Sequence, residues 1–305
     1  GPGGYGDNGG HFNRYFTNCF TDMAFTELAT AIKEHGCIAT AEVNHAGFMA
    51  GLAENANTPP MSSMGFIRPD GVEVVQMTEK MIDDAATYYA KTAKFLKDCG
   101  FQMVMVHGGH EMLINQFMSP HFNKRTDRFG GSPENRIRFP KMVLTRIREL
   151  CGGDFPIEMR ISAVDHCPDG KTLEESIFFV QECGDLMDFV HISSGCGPDK
   201  AYLTQEVCFQ PEGLNVQYAE AMKKAGVKPL VVAMGGIVSP QVAENILAEG
   251  KADVVAMARA LMADPQLPNK IRRNQEEEIV PCLRCNHCLG SNKTVFFEAK
   301  CMVNP

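Results

Sequence analysis

Four cysteines near the end of the sequence have the clearest chemistry: Cys282, Cys285 and Cys288 recur every third residue, and Cys301 follows at a distance. Structural zinc typically takes two separated pairs of cysteines, whereas three closely spaced cysteines and one distant partner suit an iron–sulfur cubane. The spacing therefore predicts a [4Fe–4S] site on these four residues. A zinc site is the alternative.

Two histidines three residues apart, His107 and His110, form a second candidate site. They follow an apolar run, 101–106, which Gly100 precedes. Such a run is typical of a buried strand that ends at a site. A polar loop comes next, and its Arg, Asp and Asn side chains are expected to bond either to one another or to a ligand.

Two later segments are suited to holding a phosphate: 233–237, which contains Gly235 and Gly236, and 256–261, which contains Ala258 and Arg259. Late strands of α/β barrels commonly bind phosphate through backbone N–H groups, because glycine lets the main chain approach an anion closely. Arg259 would add a charge-assisted hydrogen bond. Ordinary turns between strand and helix are the alternative.

The elements that must position these residues alternate along the chain. Hydrophobic patterns and capping signals predict strands at 37–44, 101–106, 155–161, 187–193, 229–234 and 253–257, and helices at 21–35, 78–99, 133–150, 172–183, 214–225 and 240–248. Residues 1–20 and 49–76 are predicted to lack regular elements.

This alternation predicts a parallel sheet with helices on its outside. A doubly wound sheet would concentrate its glycines in one phosphate loop after the first strand, whereas here polar residues follow almost every strand. The pattern therefore favours a TIM (β/α)₈-type barrel, of which six strands can be counted.

A longer motif connects the histidines to a known family. It comprises His107-x-x-His110, Gln116-Phe117-x-Ser119-Pro120, Asn123-x-Arg125-Thr126-Asp127 and Phe129-Gly130-Gly131-Ser132-x-Glu134-Asn135-Arg136-x-Arg138-Phe139. This pattern closely resembles the signature of the Old Yellow Enzyme family of FMN-dependent ene-reductases, and the likeness extends from about Asp22 to Pro305.

The resemblance assigns roles to individual residues. It implies that His107 and His110 are catalytic, binding the substrate carbonyl oxygen and stabilising developing enolate charge. It implies that Arg160 faces the polar edge of FMN and that Gly235, Gly236, Ala258 and Arg259 hold the phosphate. Glu42 stands where the family generally has a glutamine that contacts the ring, and an ionised carboxylate cannot donate a hydrogen bond as an amide does.

Two further residues of the site differ from those that the family usually has. Met112 stands where the family commonly has a tyrosine that donates a proton, so His166, Tyr202 or a water molecule is left as the proton donor. Ala258 stands where the family usually has glycine, and its methyl group leaves less space for the phosphate beside the main chain.

The cysteine segment resembles that of an iron–sulfur subgroup that contains 2,4-dienoyl-CoA reductase, 2-enoate reductase, trimethylamine dehydrogenase and bile-acid enoyl reductases. The family's barrel has eight strands, so the six predicted here match strands three to eight, and the first two are expected to lie upstream of this sequence. We expect residues 1–275 to form the FMN-binding barrel and 276–305 the [4Fe–4S] segment. FAD and NAD(P)H sites are expected only in a C-terminal region outside this chain.

Composition limits the partners. The 305 residues are 44% hydrophobic and carry a formal charge of −8 with no long basic run, which disfavours nucleic acid and anionic membranes. No 18-residue apolar run and no signal-like start occur, so we expect a cytoplasmic protein. The other cysteines are then expected to be buried thiols rather than disulfides. The composition leaves open whether the protein forms a homo-oligomer.

The sequence thus predicts an FMN-dependent ene-reductase that reduces a C=C bond conjugated to a carbonyl, with electrons relayed through a [4Fe–4S] cluster. Amine oxidation, as in trimethylamine dehydrogenase, is the second hypothesis, although an amine substrate would call for aromatic residues and cation–π contact. A third hypothesis is a non-catalytic barrel with a structural or sensing cluster. The missing tyrosine at Met112 is its best support.

Overall fold

The computed structural model describes residues 19–52, 57–197, 201–290 and 300–304. Residues 1–18, which carry most of the first predicted loop, lie outside the described residues. The strands in chain order are β1 (Thr40–Val43), β2 (Met61–Ser62), β3 (Phe66–Ile67), β4 (Glu73–Gln76), β5 (Met103–Gly108), β6 (Ile157–Ser162), β7 (Phe189–Ser193), β8 (Leu230–Ala233) and β9 (Val254–Val255).

Six of these strands form one parallel sheet in the order β1-β5-β6-β7-β8-β9. Every neighbouring pair is parallel, and His107 of β5 lies beside Arg160 of β6 and then His191 of β7 in register. The strand order follows the chain without reversing, whereas a doubly wound sheet reverses at its switch point. The predicted parallel α/β sheet of the TIM-barrel type is therefore confirmed, with all six of its expected strands.

The helices cover the outside of this sheet. They are α1 (Cys19–Glu34), α2 (Glu79–Asp98), α3 (Leu113–Met118), α4 (Pro133–Arg136), α5 (Arg138–Cys151), α6 (Leu173–Cys183), α7 (Ala201–Thr204), α8 (Val216–Lys224), α9 (Pro240–Ala248), α10 (Arg259–Ala263), α11 (Leu267–Arg272) and α12 (His287–Gly290). The buried faces of α2, α5 and α6 join the strands in one continuous hydrophobic core. No helix among the described residues is long and apolar enough to cross a membrane.

Local capping explains where the helices begin and end. Thr172 Oγ1 accepts a hydrogen bond from Glu175 N at 3.3 Å, and Glu175 Oε2 accepts one from Thr172 N at 3.3 Å, so two backbone donors are satisfied at the start of α6. Gly152 ends α5 with φ 88°, a conformation that glycine adopts without a steric cost. The single helix predicted at 133–150 is in fact divided at Ile137 into α4 and α5.

The prediction that residues 49–76 lack regular elements was wrong. A 3₁₀ helix, Gly47–Met49, leads into this segment, and β2, β3 and β4 form a second sheet in the order β2-β4-β3. Two of these strands are only two residues long, which is too short to produce an alternating pattern of polar and apolar residues. Only pairing across the small sheet makes them strands.

Arg125 connects the small sheet to the polar loop after α3. Its buried guanidinium donates hydrogen bonds to the carbonyl oxygens of Ser63 at 3.1 Å and Met77 at 2.7 Å, and it also pairs with the carboxylate of Asp127. Asn123 closes the same loop by donating to the carbonyls of Phe117 and Phe129 at 2.7 and 2.8 Å. The polar residues of this part of the motif therefore bond to the chain itself.

We predict that Arg125→Met lowers the free energy of unfolding by about 3 kcal/mol, because two buried carbonyl acceptors lose their donor and each such loss costs about 1–3 kcal/mol. Arg128→Met is the matched control in the same loop, since the Arg128 side chain is 62% exposed and pairs with the exposed Glu79. Chemical denaturation followed by circular dichroism measures both variants. Equal stability of the two would contradict a structural role for Arg125.

Candidate active site

A cavity of about 570 Å³ opens where strands β5 to β9 end. Seven of the eight residues predicted as catalytic or cofactor-binding line it: His107, His110, Arg160, Gly235, Gly236, Ala258 and Arg259. The eighth, Glu42, lies on β1 and reaches this group through its contact with His107. The parallel sheet thus brings residues that are up to 217 positions apart in the sequence, from Glu42 to Arg259, into one region.

Four side chains form a hydrogen-bonded row on one wall, which we call the histidine chain: Glu42, His107, His110 and Ser193. The Glu42 carboxylate contacts His107 Nδ1, and His107 Nε2 lies 3.1 Å from His110 Nδ1. His110 Nε2 lies 2.7 Å from Ser193 Oγ. The backbone N–H of His110 also donates to Ser162 Oγ at 3.0 Å, which fixes the turn that carries the second histidine.

The electrostatics of this row are set by burial and by its cationic neighbours. Burial raises the pKa of Glu42, but the hydrogen bond and charge of His107, with Arg160 and His191 beyond, more than offset that effect and lower the pKa to about 2. Burial also lowers the pKa of His110 well below its usual range, and the charges of Arg160 and His107 act in the same direction. Glu42 is therefore ionised and His110 neutral at neutral pH.

Two buried nitrogen atoms in the cavity wall have no hydrogen-bond partner among the described residues: Arg160 Nε and His191 Nε2. Arg160 Nη1 lies 3.8 Å from Glu42 Oε1, and its Nη2 donates to Met234 Sδ at 3.6 Å. His191 Nδ1 lies 2.8 Å from Glu158 Oε1, a buried carboxylate. An unsatisfied buried polar atom is costly, so the Arg160 Nε donor and the His191 Nε2 atom each leave a hydrogen bond for a polar ligand to supply.

Gly235 and Gly236 form the opposite end of the cavity with φ angles of 131° and 60°. A Cβ atom on Gly235 would lie 2.9 Å from the backbone nitrogen of Asn215, so glycine is required there both for its conformation and for space. The two glycines line the cavity where the phosphate is predicted, and their positive φ angles keep side chains out of this end, which is compatible with a phosphate near the main chain.

Arg259, however, is already engaged at this end of the cavity. It donates to the carbonyl oxygen of Glu206 at 2.6 Å and pairs with the carboxylate of Glu206 at 3.1 Å. Burial raises the pKa of Glu206, while the charges of Arg259, Arg284 and Arg160 oppose that rise. A phosphate would therefore have to replace the Glu206 carboxylate as the partner of Arg259.

The four predicted cluster ligands, Cys282, Cys285, Cys288 and Cys301, surround one small cavity together with Arg259 and Asn286. No three His, Cys, Asp or Glu side chains among the described residues are close enough to bind a single metal ion. Asn286 accepts a hydrogen bond from Arg259 and donates one to the carbonyl of Gln205 at 2.8 Å. The cysteine segment thus lies against the glycine end of the larger cavity.

The two side chains predicted as alternative proton donors do not line the cavity. His166 Nε2 lies 3.1 Å from the hydroxyl of Tyr218, and Tyr202 is 46% exposed. Met112, in contrast, does line the cavity, and its sulfur accepts a weak hydrogen bond from Asn44 at 4.0 Å. No proton-donating side chain of the described lining takes the position of the family's tyrosine.

Sequence reasoning missed four residues of the site: Ser193, His191, Glu158 and Glu206. The first three lie on β6 and β7 at buried positions. The signal available in the sequence was a polar residue within an otherwise apolar run. Glu206 follows β7 in a segment without a recognisable motif. Its burial and its contact with Arg259 depend entirely on the tertiary structure.

Comparison with known proteins gives a consistent result. The family model for NADH:flavin oxidoreductase / NADH oxidase matches residues 19–278. The chain is 35% identical over 292 residues to an NADH oxidase of Thermoanaerobacter brockii, covering 92% of this chain and 43% of that protein. It is 32% identical over 254 residues to a cinnamate reductase of Clostridium sporogenes, covering 77% of this chain and 37% of that protein. The chain therefore spans less than half the length of these relatives.

Two solved structures superpose closely on the chain. A 2-naphthoyl-CoA reductase in complex with 2-naphthoyl-CoA matches with a TM-score of 0.86 and 28% identity over 95% of this chain and 46% of that one. A histamine dehydrogenase from Rhizobium sp. 4-9 matches with a TM-score of 0.86 and 27% identity over 94% of this chain and 42% of that one. The same fold thus occurs in both a reductase and an amine dehydrogenase.

We predict that His110 makes folding stability depend on pH below about 6.5. Because the pKa of His110 is lowered in the folded state, the unfolded chain binds a proton there that the folded protein does not, so the free energy of unfolding decreases as the pH falls through that region. The loss reaches at most about 1.4 kcal/mol per pH unit. His110→Gln should reduce this dependence.

Thermal unfolding between about pH 7.5 and 5.5 measures the effect, a range that lies above the titration of carboxylates. His121→Gln is the matched control, because His121 lies on a loop and bonds to the carbonyl of Pro168 outside the cavity. If His110→Gln and wild type lost the same stability over this range, His110 would not be held neutral.

Proposed function

The chain belongs to the NADH:flavin oxidoreductase / NADH oxidase family, and from this membership we propose that it forms the FMN site of an ene-reductase that acts on a C=C bond conjugated to a carbonyl. The observation that carries the proposal is the histidine chain on the wall of the cavity, beside the unpartnered Arg160 Nε. It offers an N–H donor of His110 to a substrate oxygen, and Arg160 offers a fixed cation to an anionic ring.

FMN would be held by residues at both ends of the cavity. Arg160 Nε and His191 Nε2, which are buried and lack partners among the described residues, would bond to the polar edge of the ring. Gly235 and Gly236 would receive the phosphate, and Arg259 would supply its charge-assisted bond once the phosphate replaces Glu206. Burial raises the pKa of Glu206, so its charge is held less favourably here than in water, which supports this exchange. Bound FMN would supply the two-electron reduction of the substrate.

The histidine chain would bind the substrate oxygen. The Glu42 carboxylate holds the proton on His107 Nδ1, which fixes the orientation of the first ring, and Ser193 and Ser162 fix the second ring and its backbone. A carbonyl oxygen that replaces one partner of His110 would receive an N–H donor aimed at the charge that develops on it. Because His110 is neutral, its N–H group carries no full positive charge that would attract an anion before the reaction.

The final proton on the substrate carbon is assigned to water. Met112 cannot donate a proton, and His166 and Tyr202 are absent from the described lining of the cavity. The cavity, at about 570 Å³, is large enough to hold water beside a substrate. An enoate, or a thioester whose carbonyl is conjugated to a C=C bond, is the substrate class that the relatives' names support, since cinnamate is an enoate and 2-naphthoyl-CoA is an aromatic thioester.

We further propose a [4Fe–4S] cluster on Cys282, Cys285, Cys288 and Cys301. Support comes from the four thiols, which surround one small cavity and so supply the four cysteine ligands that such a cluster takes. The cluster would supply electrons one at a time. Asn286 would position it, because this side chain bonds to Arg259 at the phosphate end of the FMN site.

Amine oxidation is the second candidate, and the superposition with histamine dehydrogenase favours it. An ammonium substrate is commonly held over the faces of aromatic rings. The described residues that line the cavity include no Phe, Tyr or Trp, and its cationic groups, such as Arg160 and Arg259, would repel an ammonium ion. The charge of the site therefore supports a carbonyl substrate over an amine.

We predict that replacing His107 and His110 together with Ala slows alkene reduction by about 10²–10³-fold or more, since removing one donor to a developing oxyanion costs about 3–4 kcal/mol. FMN content should stay near the wild-type value, because the phosphate contacts come from other strands. The assay follows flavin absorbance when anaerobic, dithionite-reduced protein receives cinnamate or an enoyl thioester.

His121→Ala is the control for this assay, because His121 is the same residue type outside the cavity. It should reduce the alkene at the parent rate. A histidine double variant that also keeps the parent rate, with its FMN bound, would overturn the role of the histidine chain. Oxidation of an amine by the wild-type protein, without alkene reduction, would favour the second candidate.

We also predict about four iron atoms and four labile sulfides per chain in anaerobically purified protein, as a cubane requires. Cys285→Ser should lower both contents, because it removes one ligand. Cys208→Ser is the matched control, since Cys208 is exposed and lies outside the cysteine segment. Stoichiometric zinc without sulfide would refute the cluster.

A further inference from the structure

Two cysteines that the proposed function does not use face each other beyond the end of the sheet. Cys167 follows β6 and Cys196 follows β7, and their sulfur atoms lie 3.1 Å apart. A disulfide bond is about 2.05 Å long, so a movement of about 1 Å would join them. Both are free thiols in the structure. We propose that Cys167 and Cys196 form a reversible disulfide by exchange with a low-molecular-weight disulfide.

The backbone keeps the two loops together at this point. Ala163 N donates to the carbonyl of Ser193 at 2.7 Å, and Gly195 N donates to the carbonyl of Val164 at 2.8 Å. Ser162 Oγ donates to the carbonyl of Gly195 at 2.9 Å. The pairing of β6 and β7 thus continues past the strand ends, up to one residue before Cys196.

The loop of Cys167 is closed on itself in a way that directs its sulfur toward Cys196. Asp165 N donates to the carbonyl of Lys171 at 3.1 Å, and Gly170 N donates to the carbonyl of Cys167 at 3.0 Å. A Cβ atom on Gly170 would lie 2.8 Å from Cys167 Sγ, so the glycine leaves the space that this sulfur occupies. The hydrogen-bonded turn therefore fixes the position of the Cys167 thiol next to Cys196.

The two thiols differ in access, which sets the order of the exchange. Cys167 is partly exposed, whereas Cys196 is 5% exposed. The Cys167 thiolate attacks one sulfur of the small disulfide, forms a mixed disulfide and releases the first small thiolate. The Cys196 thiolate then attacks Cys167 Sγ and releases the second. The two protons lost by the cysteines go to the two departing thiolates, so one small disulfide is reduced as one protein disulfide forms.

The surroundings make this exchange slow at neutral pH and faster in alkali. Burial raises the pKa of both thiols, and the carboxylates of Asp165 and Glu111 act in the same direction on each. The buried Lys171 ammonium, which bonds to Ser162 and Ser176, interacts electrostatically with Cys196 and acts in the opposite direction. Because the thiolate is the nucleophile, the rate should rise about tenfold per pH unit between about pH 7 and 8.

The disulfide would join the loops after β6 and β7 beside Glu111, whose carboxylate would lie 3.2 Å from a Cβ atom on Gly197. Glu111 belongs to the turn between His110 and Met112, two residues that line the cavity. Oxidation would therefore add a covalent link between the loops next to the candidate site, while reduction would leave them joined by hydrogen bonds alone.

The test uses the protein purified anaerobically with its cofactors and then treated with an excess of glutathione disulfide. Free thiols are blocked with N-ethylmaleimide, and unreduced peptides are analysed by mass spectrometry. We expect a peptide that links Cys167 to Cys196, which dithiothreitol removes. Cys196→Ala should instead retain glutathione on Cys167, and Cys167→Ala should leave Cys196 alkylated.

Cys208→Ala is the matched control, since Cys208 is an exposed cysteine away from this pair. It should form the linked peptide at the wild-type yield. If Cys208 of the wild-type protein takes up glutathione while Cys167 and Cys196 are recovered unlinked, the proposal is wrong. A rate of linkage that does not change between about pH 7 and 8 would also overturn it, because the attacking group would then not be a thiol with a raised pKa. Neither readout depends on alkene reduction.

Discussion

All six strands of the large sheet run in one direction, and this constraint determines where chemistry can occur. Residues that follow a strand come to the same edge, so polar groups that are far apart in the sequence meet there. His107, Arg160 and His191 lie side by side on β5, β6 and β7 because the register of three neighbouring strands places them in one row. The site is thus a direct product of strand pairing, and its glycine end is contributed by the turns after β8 and β9.

The same arrangement concentrates positive charge, and the structure balances it with carboxylates. Glu42 faces His107 and Arg160, Glu158 faces His191, and Glu206 faces Arg259. A buried ion pair contributes little net stability, yet removing one partner leaves a costly unpaired charge. The three carboxylates therefore keep these side chains oriented in and beside the cavity wall. Burial raises the pKa of Glu206, the carboxylate at the glycine end.

The polar residues that follow α3 have a different role from the residues that line the cavity. Arg125, Asn123 and Asp127 bond to the main chain of the loop and of the small sheet, so they position β2 and β4 beside the histidine turn rather than contacting a ligand. Gly130 belongs to the same scaffold, because a Cβ atom there would lie 2.3 Å from the Arg125 carbonyl. A motif that identifies a family can thus consist largely of residues that shape a loop.

The sequence by itself determined the elements whose patterns are long and local: the six strands of the large sheet, the helices around it and the family signature from His107 to Phe139. It also named most residues that gather at the cavity, some because polar residues after parallel strands share one edge and others, such as Glu42 and Arg160, through the resemblance to the Old Yellow Enzyme family. It missed the strands β2, β3 and β4, which are recognised only through their pairing with one another. Likewise, the contacts of Glu206 with Arg259 and of Cys167 with Cys196 depend on the packing of loops that no local pattern encodes. The contact of His191 with Glu158 depends on the register of β6 and β7. Only the tertiary structure decided these, since burial and charge pairing are properties of the assembled fold.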